Sequence, residues 1–222
     1  MSLISSMKDI IESVIQQIER DYQSAQGLIL TESDLKCLIF SKLRNRIISQ
    51  FHKYITSSRR NEAHNTYSHH VRWKMRTRDP GIYSSPLHTE LAWYDENHRL
   101  TIKPDITILD PSGLSILHGF ASPRLPSKQY AFRGEAILLE LKFIRNRKGI
   151  GVKTLEAIMK DFAKIQRLEA KLSSEQMVDK FFCYFVIFNK TDIVCNEFEM
   201  FIKNNRDGPW HKIIYATGQV TF

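Results

Sequence analysis

At 222 residues the chain is long enough to bury one substantial core, and its 42% hydrophobic and 25% charged residues are the balance of a globular protein rather than of a disordered or membrane-embedded one. Three cysteines, Cys37, Cys183 and Cys195, cannot all pair with one another and show no metal-ligand spacing, so buried thiols in a reducing compartment are expected rather than a disulfide framework. Lys and Arg number 32 against 24 Asp and Glu, a net charge of +8 and a pI near 9.4, which favours an anionic partner such as nucleic acid.

Ile4, Met7, Ile11, Val14 and Ile18 recur at helical spacing, predicting an amphipathic helix from about Ile4 to Ser24 that ends at Gly27. Its stripe fits either the rim of the core or a dimer contact. Lys8, Asp9, Glu12, Glu19 and Arg20 interrupt this region, so it lacks the apolar centre of a signal peptide; no run reaches membrane-spanning length, and a cytoplasmic protein is expected. Thr31 and Asp34 form a capping box opening a second helix, to about Gln50, with Leu35, Ile39, Leu43 and Ile47 as its stripe. Glu32 lies in line with that stripe and so aims inward; complementing the helix dipole would be reason enough for it.

From Arg44 to Arg78 the chain is strongly basic, with Arg59, Arg60, Arg72, Lys74, Arg76 and Arg78 interleaved with Tyr54, Tyr67 and Trp73. Cations neutralise phosphates and rings stack on bases, so this is the first candidate for a nucleic-acid surface; a solvated face with a loop is the plainer reading. His64, His69 and His70 have no cysteine partners nearby and make a poor zinc site. The pattern then predicts a strand from Pro86 to Tyr94, a turn at 95–98 and a returning strand from Arg99 to Leu109. Leu114 to Phe120 finishes a strand, and Ala121 to Arg133 reads as an exposed loop. Ala136 to Phe143 is a strand apolar on both faces up to Leu139, ending with Glu140 and Lys142 on one face. An exposed ion pair where the strand meets water is one explanation. Arg145, Arg147 and Lys148 form a basic turn, Val152 to Leu172 a helix with Leu155, Ile158, Met159, Phe162, Ile165 and Leu172 as its stripe, and Phe181 to Asn189 a buried strand. Thr191 is expected to cap a last helix carrying Ile193, Val194, Phe198, Phe201 and Ile202, before a final strand from Trp210 to Ala216.

A strand opening Pro104-Asp105, followed by a strand ending Glu140-Leu141-Lys142, resembles the PD-(D/E)xK nuclease superfamily, over about Thr31 to Asn189. The resemblance implies an α/β (α+β) restriction endonuclease-like core, a mixed central sheet flanked by helices in the order αβββαβ. On that reading residues 1–222 are one nuclease-like domain, with 1–30 a helical extension, 31–189 the core and 190–222 a helix-strand extension. It implies Asp105, Glu140 and Lys142 as catalytic residues of a DNA endonuclease leaving 5′ phosphates. Asp105 and Glu140 become ligands of one or two Mg2+ ions, with Mn2+ as a substitute and no organic cofactor. Glu32 and Glu90 are rivals for a third acidic ligand. The nucleic-acid surface would comprise Arg59, Arg60, Arg72, Lys74, Arg76, Arg78, Arg145, Arg147 and Lys148, and cutting both strands of a duplex suggests a homodimer. A nucleic-acid-binding or assembly module with the same fold and no catalysis is the alternative, and RNA as substrate a third possibility.

Overall fold

The computed structural model describes residues 2–50, 56–57, 82–83, 86–94, 100–110, 114–116, 124–125, 130–132, 134–174 and 178–218. The first two elements are helices, α1 (Leu3–Ser24) and α2 (Glu32–Gln50). Thr31 and Asp34 cap α2 as expected: the Asp34 amide donates to Thr31 Oγ1 at 3.1 Å and the Thr31 amide to Asp34 Oδ2 at 2.9 Å. α1 is capped from a distance, by the Glu135 carboxylate, which accepts from the Ser2 hydroxyl at 2.7 Å and from the Leu3 amide. Met7, Ile11, Val14 and Ile18 are fully or almost fully buried within their own chain, so the α1 stripe packs the core rather than a second copy.

Among the described residues twelve strands follow: β1 (Thr56–Ser57), β2 (Ile82–Tyr83), β3 (Leu87–Thr89), β4 (Trp93–Tyr94), β5 (Leu100–Ile102), β6 (Ile106–Leu109), β7 (Leu114–Ile116), β8 (Arg124–Leu125), β9 (Tyr130–Phe132), β10 (Ala136–Ile144), β11 (Phe181–Asn189) and β12 (His211–Thr217). Two further helices, α3 (Val152–Ser174) and α4 (Asn196–Asn205), connect β10 to β11 and β11 to β12. The main sheet is mixed and five-stranded, in the order β12-β11-β10-β6-β3. β3, β6 and β10 run antiparallel to their neighbours in turn, whereas β10, β11 and β12 are parallel. Parallel neighbours need a crossover, and α3 and α4 supply the two.

Helices cover both faces. On β10, Ile137, Leu139, Leu141 and Phe143 point toward α1 and α2, while Ala136 and Leu138 point toward α3. β11 is buried throughout, as a strand covered on both sides must be.

The structure corrects several sequence expectations. The long hairpin is divided between two sheets: β3 and β6 pair in the main sheet, while β4 and β5 pair in a second, five-stranded sheet ordered β5-β4-β8-β9-β7. The bends fall at Glu90, the one described non-glycine residue with positive φ (53°), and at Pro104, which has no amide to give to a ladder. Residues 121–133 are not simply a loop, because β8 and β9 build the second sheet and Phe132 is fully buried, 5.7 Å edge-on to Trp93. Met159 is 49% exposed and Leu168 takes its place in the α3 stripe. α4 begins at Asn196, not near Thr191. Thr191 Oγ1 instead accepts from the Ile193 amide and Asn189 Oδ1 from the Thr191 amide, each at 3.3 Å, giving successive side-chain turns that hold 189–193 out of a helix. Only Cys183 is a buried thiol; Cys37 is exposed and Cys195 half-buried.

Candidate functional site

The site forms where β6 leaves β10. Their ladder runs from Ala136 opposite Leu109 to Leu139 opposite Ile106, and continuing it one step sets Asp105 opposite Glu140. Beyond Leu139, the amides of Leu141 and Phe143 face the same edge with no described strand beside them. Two carboxylates take them instead: the Leu141 amide donates to Asp105 Oδ2 at 2.9 Å, and the Phe143 amide to Glu32 Oε2 at 3.1 Å. Glu32 thus reaches from α2 to the end of β10, as its position in line with the apolar stripe implied.

Alternation along β10 turns Glu140 and Lys142 to the face covered by α3, with Leu138, and on β6 it turns Asp105 to that face with Thr107 and Leu109. Burial pushes the Glu140 carboxyl up to about 7, and the neighbouring charges of Asp105, Asp161 and Glu32 add to the shift while Lys164 opposes it. Lys142 Nζ lies 2.7 Å from Asp161 Oδ2, and Lys164 Nζ lies 2.6 Å from Asp161 Oδ1. Burial disfavours the Lys142 ammonium, but the hydrogen bond and charge of Asp161 outweigh it and its pKa is raised. Burial likewise opposes ionisation of Asp161, yet its two lysines hold it below the usual carboxylate range.

Glu90 lies on the other side of Asp105. Its amide donates to the Asp105 carbonyl at 3.0 Å, and its carboxylate is taken by two lysines, 2.6 Å from Lys36 Nζ and 2.7 Å from Lys103 Nζ. Those lysines, Lys103 foremost, pull its pKa down to about 2. Lys36 also stands 3.6 Å from Asp105 Oδ1. Of the two rival acids, Glu32 is therefore the one whose charge acts on Glu140 and Lys142, and Glu90 is neutralised by lysines.

Arg145, Arg147 and Lys148 are exposed in the turn that leaves β10 at the same end. Gly149 makes that turn possible: its φ is +70° and a Cβ would lie 1.9 Å from the Ile193 carbonyl oxygen. Arg59, Arg60, Arg72, Lys74, Arg76 and Arg78 lie outside the described residues.

No protein-family model, curated protein or solved structure matches the chain. Among the described residues, no three or more His, Cys, Asp or Glu side chains are gathered to hold a metal ion as they stand. No described helix is long and apolar enough to cross a membrane.

Asp161, Lys164 and Lys36 escaped the reading of the sequence. For Asp161 a signal existed: at 100° per residue it falls inside the arc of the α3 stripe, between Leu168 and Leu172, so an acid there points at the sheet. Lys36 is one turn beyond Glu32 on α2 and shares its side of the helix.

Proposed function

We propose that this protein is a metal-dependent nuclease that hydrolyses DNA phosphodiester bonds, acting as an endonuclease through a restriction endonuclease-like core. The observation that carries the proposal is the meeting of Asp105 and Glu140 on one face of neighbouring strands, close enough for the charge of one to raise the pKa of the other, with Lys142 next along that face. The order α2, β3, β6, β10, α3, β11 supports it, being the αβββαβ succession that the resemblance implies.

The donor set suits a hard cation. It consists of carboxylates crowded enough to disfavour the ionisation of Glu140, and Mg2+ or Mn2+ takes such oxygens readily. Asp105 and Glu140 would hold the ion, with Glu32 as the third acid and Glu90 too far committed to its lysines. Such an ion, when bound, polarises a phosphodiester oxygen and acidifies bound water. Lys142, kept charged by Asp161, orients the attacking water and stabilises the charge that develops on the phosphorus oxygens. Arg145, Arg147 and Lys148 grip phosphates beside the scissile one. The test is to incubate pure protein with duplex DNA and Mg2+ or Mn2+ beside the Asp105→Ala and Lys142→Ala variants. Cleavage lost in both is expected; cleavage that survives both comes from a contaminant and ends the proposal.

A second reading, a nucleic-acid-binding module with this fold and no hydrolysis, is favoured by one observation: lysines already stand against Asp105 (Lys36) and Asp161 (Lys142), and no ready metal cage exists among the described residues. Calorimetric titration with Mn2+ separates the two. Salt-sensitive DNA binding with no heat of metal binding belongs to this second reading.

A further inference from the structure

We infer that Lys36 and Lys103 form a phosphate-binding subsite beside Asp105, and that the Glu90 carboxylate occupies it in the free protein as a stand-in for a DNA phosphate. Lys36 approaches Glu90 Oε1 at 2.6 Å and Lys103 approaches Oε2 at 2.7 Å. One anion whose two oxygens are claimed by two separate ammonium groups has the charge and the fork of a phosphodiester's non-bridging oxygens.

Three features argue for exchange rather than a permanent brace. Glu90 and Lys103 are each 49% exposed, and ion pairs that open to water contribute little to stability, so replacing one partner costs little. Glu90 sits in the left-handed region at φ 53°, a conformation disfavoured for a residue with a Cβ, at the bend where the hairpin passes from one sheet to the other. Lys36, by contrast, is only 18% exposed and fixed on a helix, 3.6 Å from Asp105, so one cation of the subsite is preorganised while the carboxylate that occupies it is not. A phosphate taken up between the two lysines would flank the one that Asp105 and Glu140 address, which would set the register of the strand in the cleft. The identity of the ligand as a DNA phosphate rests on the nuclease reading; the subsite itself rests on the lysines.

The experiment measures binding of a fluorescein-labelled DNA duplex by anisotropy in EDTA, where no cleavage intervenes, for wild type, Glu90→Gln and Glu156→Gln. Glu156 is an exposed residue of α3, and its substitution makes the same change in net charge. Removing the competing carboxylate is expected to tighten binding about twofold to fivefold beyond that charge-matched control. The gain should vanish when Lys36→Met and Lys103→Met are added, and each lysine removed should lower the slope of log K against log salt by about 1. In parallel, acetylation of wild-type protein followed by mass spectrometry should show both lysines protected by the duplex. Protection together with the Glu90→Gln gain supports the subsite even where no cleavage is ever seen, an outcome that sinks only hydrolysis. Cleavage by wild type with neither protection nor a gain over Glu156→Gln overturns the subsite and leaves hydrolysis standing.

Discussion

Glu140 is the residue on which the proposed activity and stability pull apart. Its carboxyl ordinarily titrates near 4.5 and here is pushed up to about 7, first by burial. Below the ordinary value it is protonated whether the chain is folded or not, and nothing is lost. Between 4.5 and about 7 the unfolded chain ionises and the native one does not, so folding becomes progressively less favourable; above about 7 the deficit is complete. Glu140→Gln should therefore stabilise the protein at pH 8 by on the order of 1 to 3 kcal/mol, change little at pH 4, and abolish cleavage. Thermal melts at the two pH values check the first part, and an equal shift at both would refute it. Asp161 governs the neighbouring cation. Asp161→Asn removes the partner of Lys142 and should lower kcat about 10- to 100-fold with little change in KM, as loss of an orienting group does, while Asp161→Glu restores part of it. An Asp161→Asn variant that cleaves with wild-type kcat would show that the pair is only structural.

The edge of β10 explains why α2 and β10 act as one unit. Side-chain carboxylates complete a ladder that β6 abandons, so Glu32→Ala should cost about 1.5 to 3 kcal/mol through the Phe143 amide it leaves unpaired, and should lower the proposed activity as well. Thr31→Ala, one residue away, removes only the helix cap; it should cost about 1 kcal/mol and leave the activity of the folded protein alone. Urea denaturation beside cleavage assays separates the two, and parallel losses in both variants would mean Glu32 matters only to α2. The capping box, β10, α3 and β11 could be read from the chain because each is an unbroken period of one kind, and Glu32 could be aimed inward because its helix supplied the reference direction. The divided hairpin could not: Leu87 to Tyr94 alternates well enough for a single strand, and what breaks it is a left-handed glutamate, a conformation that no local pattern announces. Lys36 and Lys103 were missed for a related reason, since their meeting at Glu90 depends on that bend and on α2 lying beside it.

Across the whole chain, two sets of described acid and histidine side chains with opposed pKa shifts place the stability maximum. The carboxyls of Asp34, Glu90 and Asp161 are held below their ordinary range, so the native state binds fewer protons than the unfolded one in acid, and stability falls as the pH drops below about 4.5. Glu140 and His211 shift the other way. His211, on β12, hydrogen-bonds Glu169 of α3 through Nδ1 at 2.8 Å and the Asn205 carbonyl at the end of α4 through Nε2 at 3.1 Å, joining both crossover helices to the sheet. Its pKa is raised, chiefly by Glu169, so its contribution is fully present below the ordinary histidine value of 6.5 and disappears as the pH rises through the folded value. Through neutrality, then, the native state holds protons that the unfolded chain has released, and stability should decline from about pH 5 to pH 8. The unfolded chain ionises Glu140 from about pH 4.5, which weakens the fold, whereas the native carboxylate that would bind the proposed metal forms only near pH 7, so cleavage should rise over the upper part of the interval in which the melting temperature falls. Calorimetric melting temperatures set beside cleavage rates from pH 5 to 8 check the crossing, with His211→Gln expected to flatten the stability slope without touching the rise in activity. A melting temperature that climbs along with the cleavage rate would mean that these two proton-binding groups do not govern the neutral range.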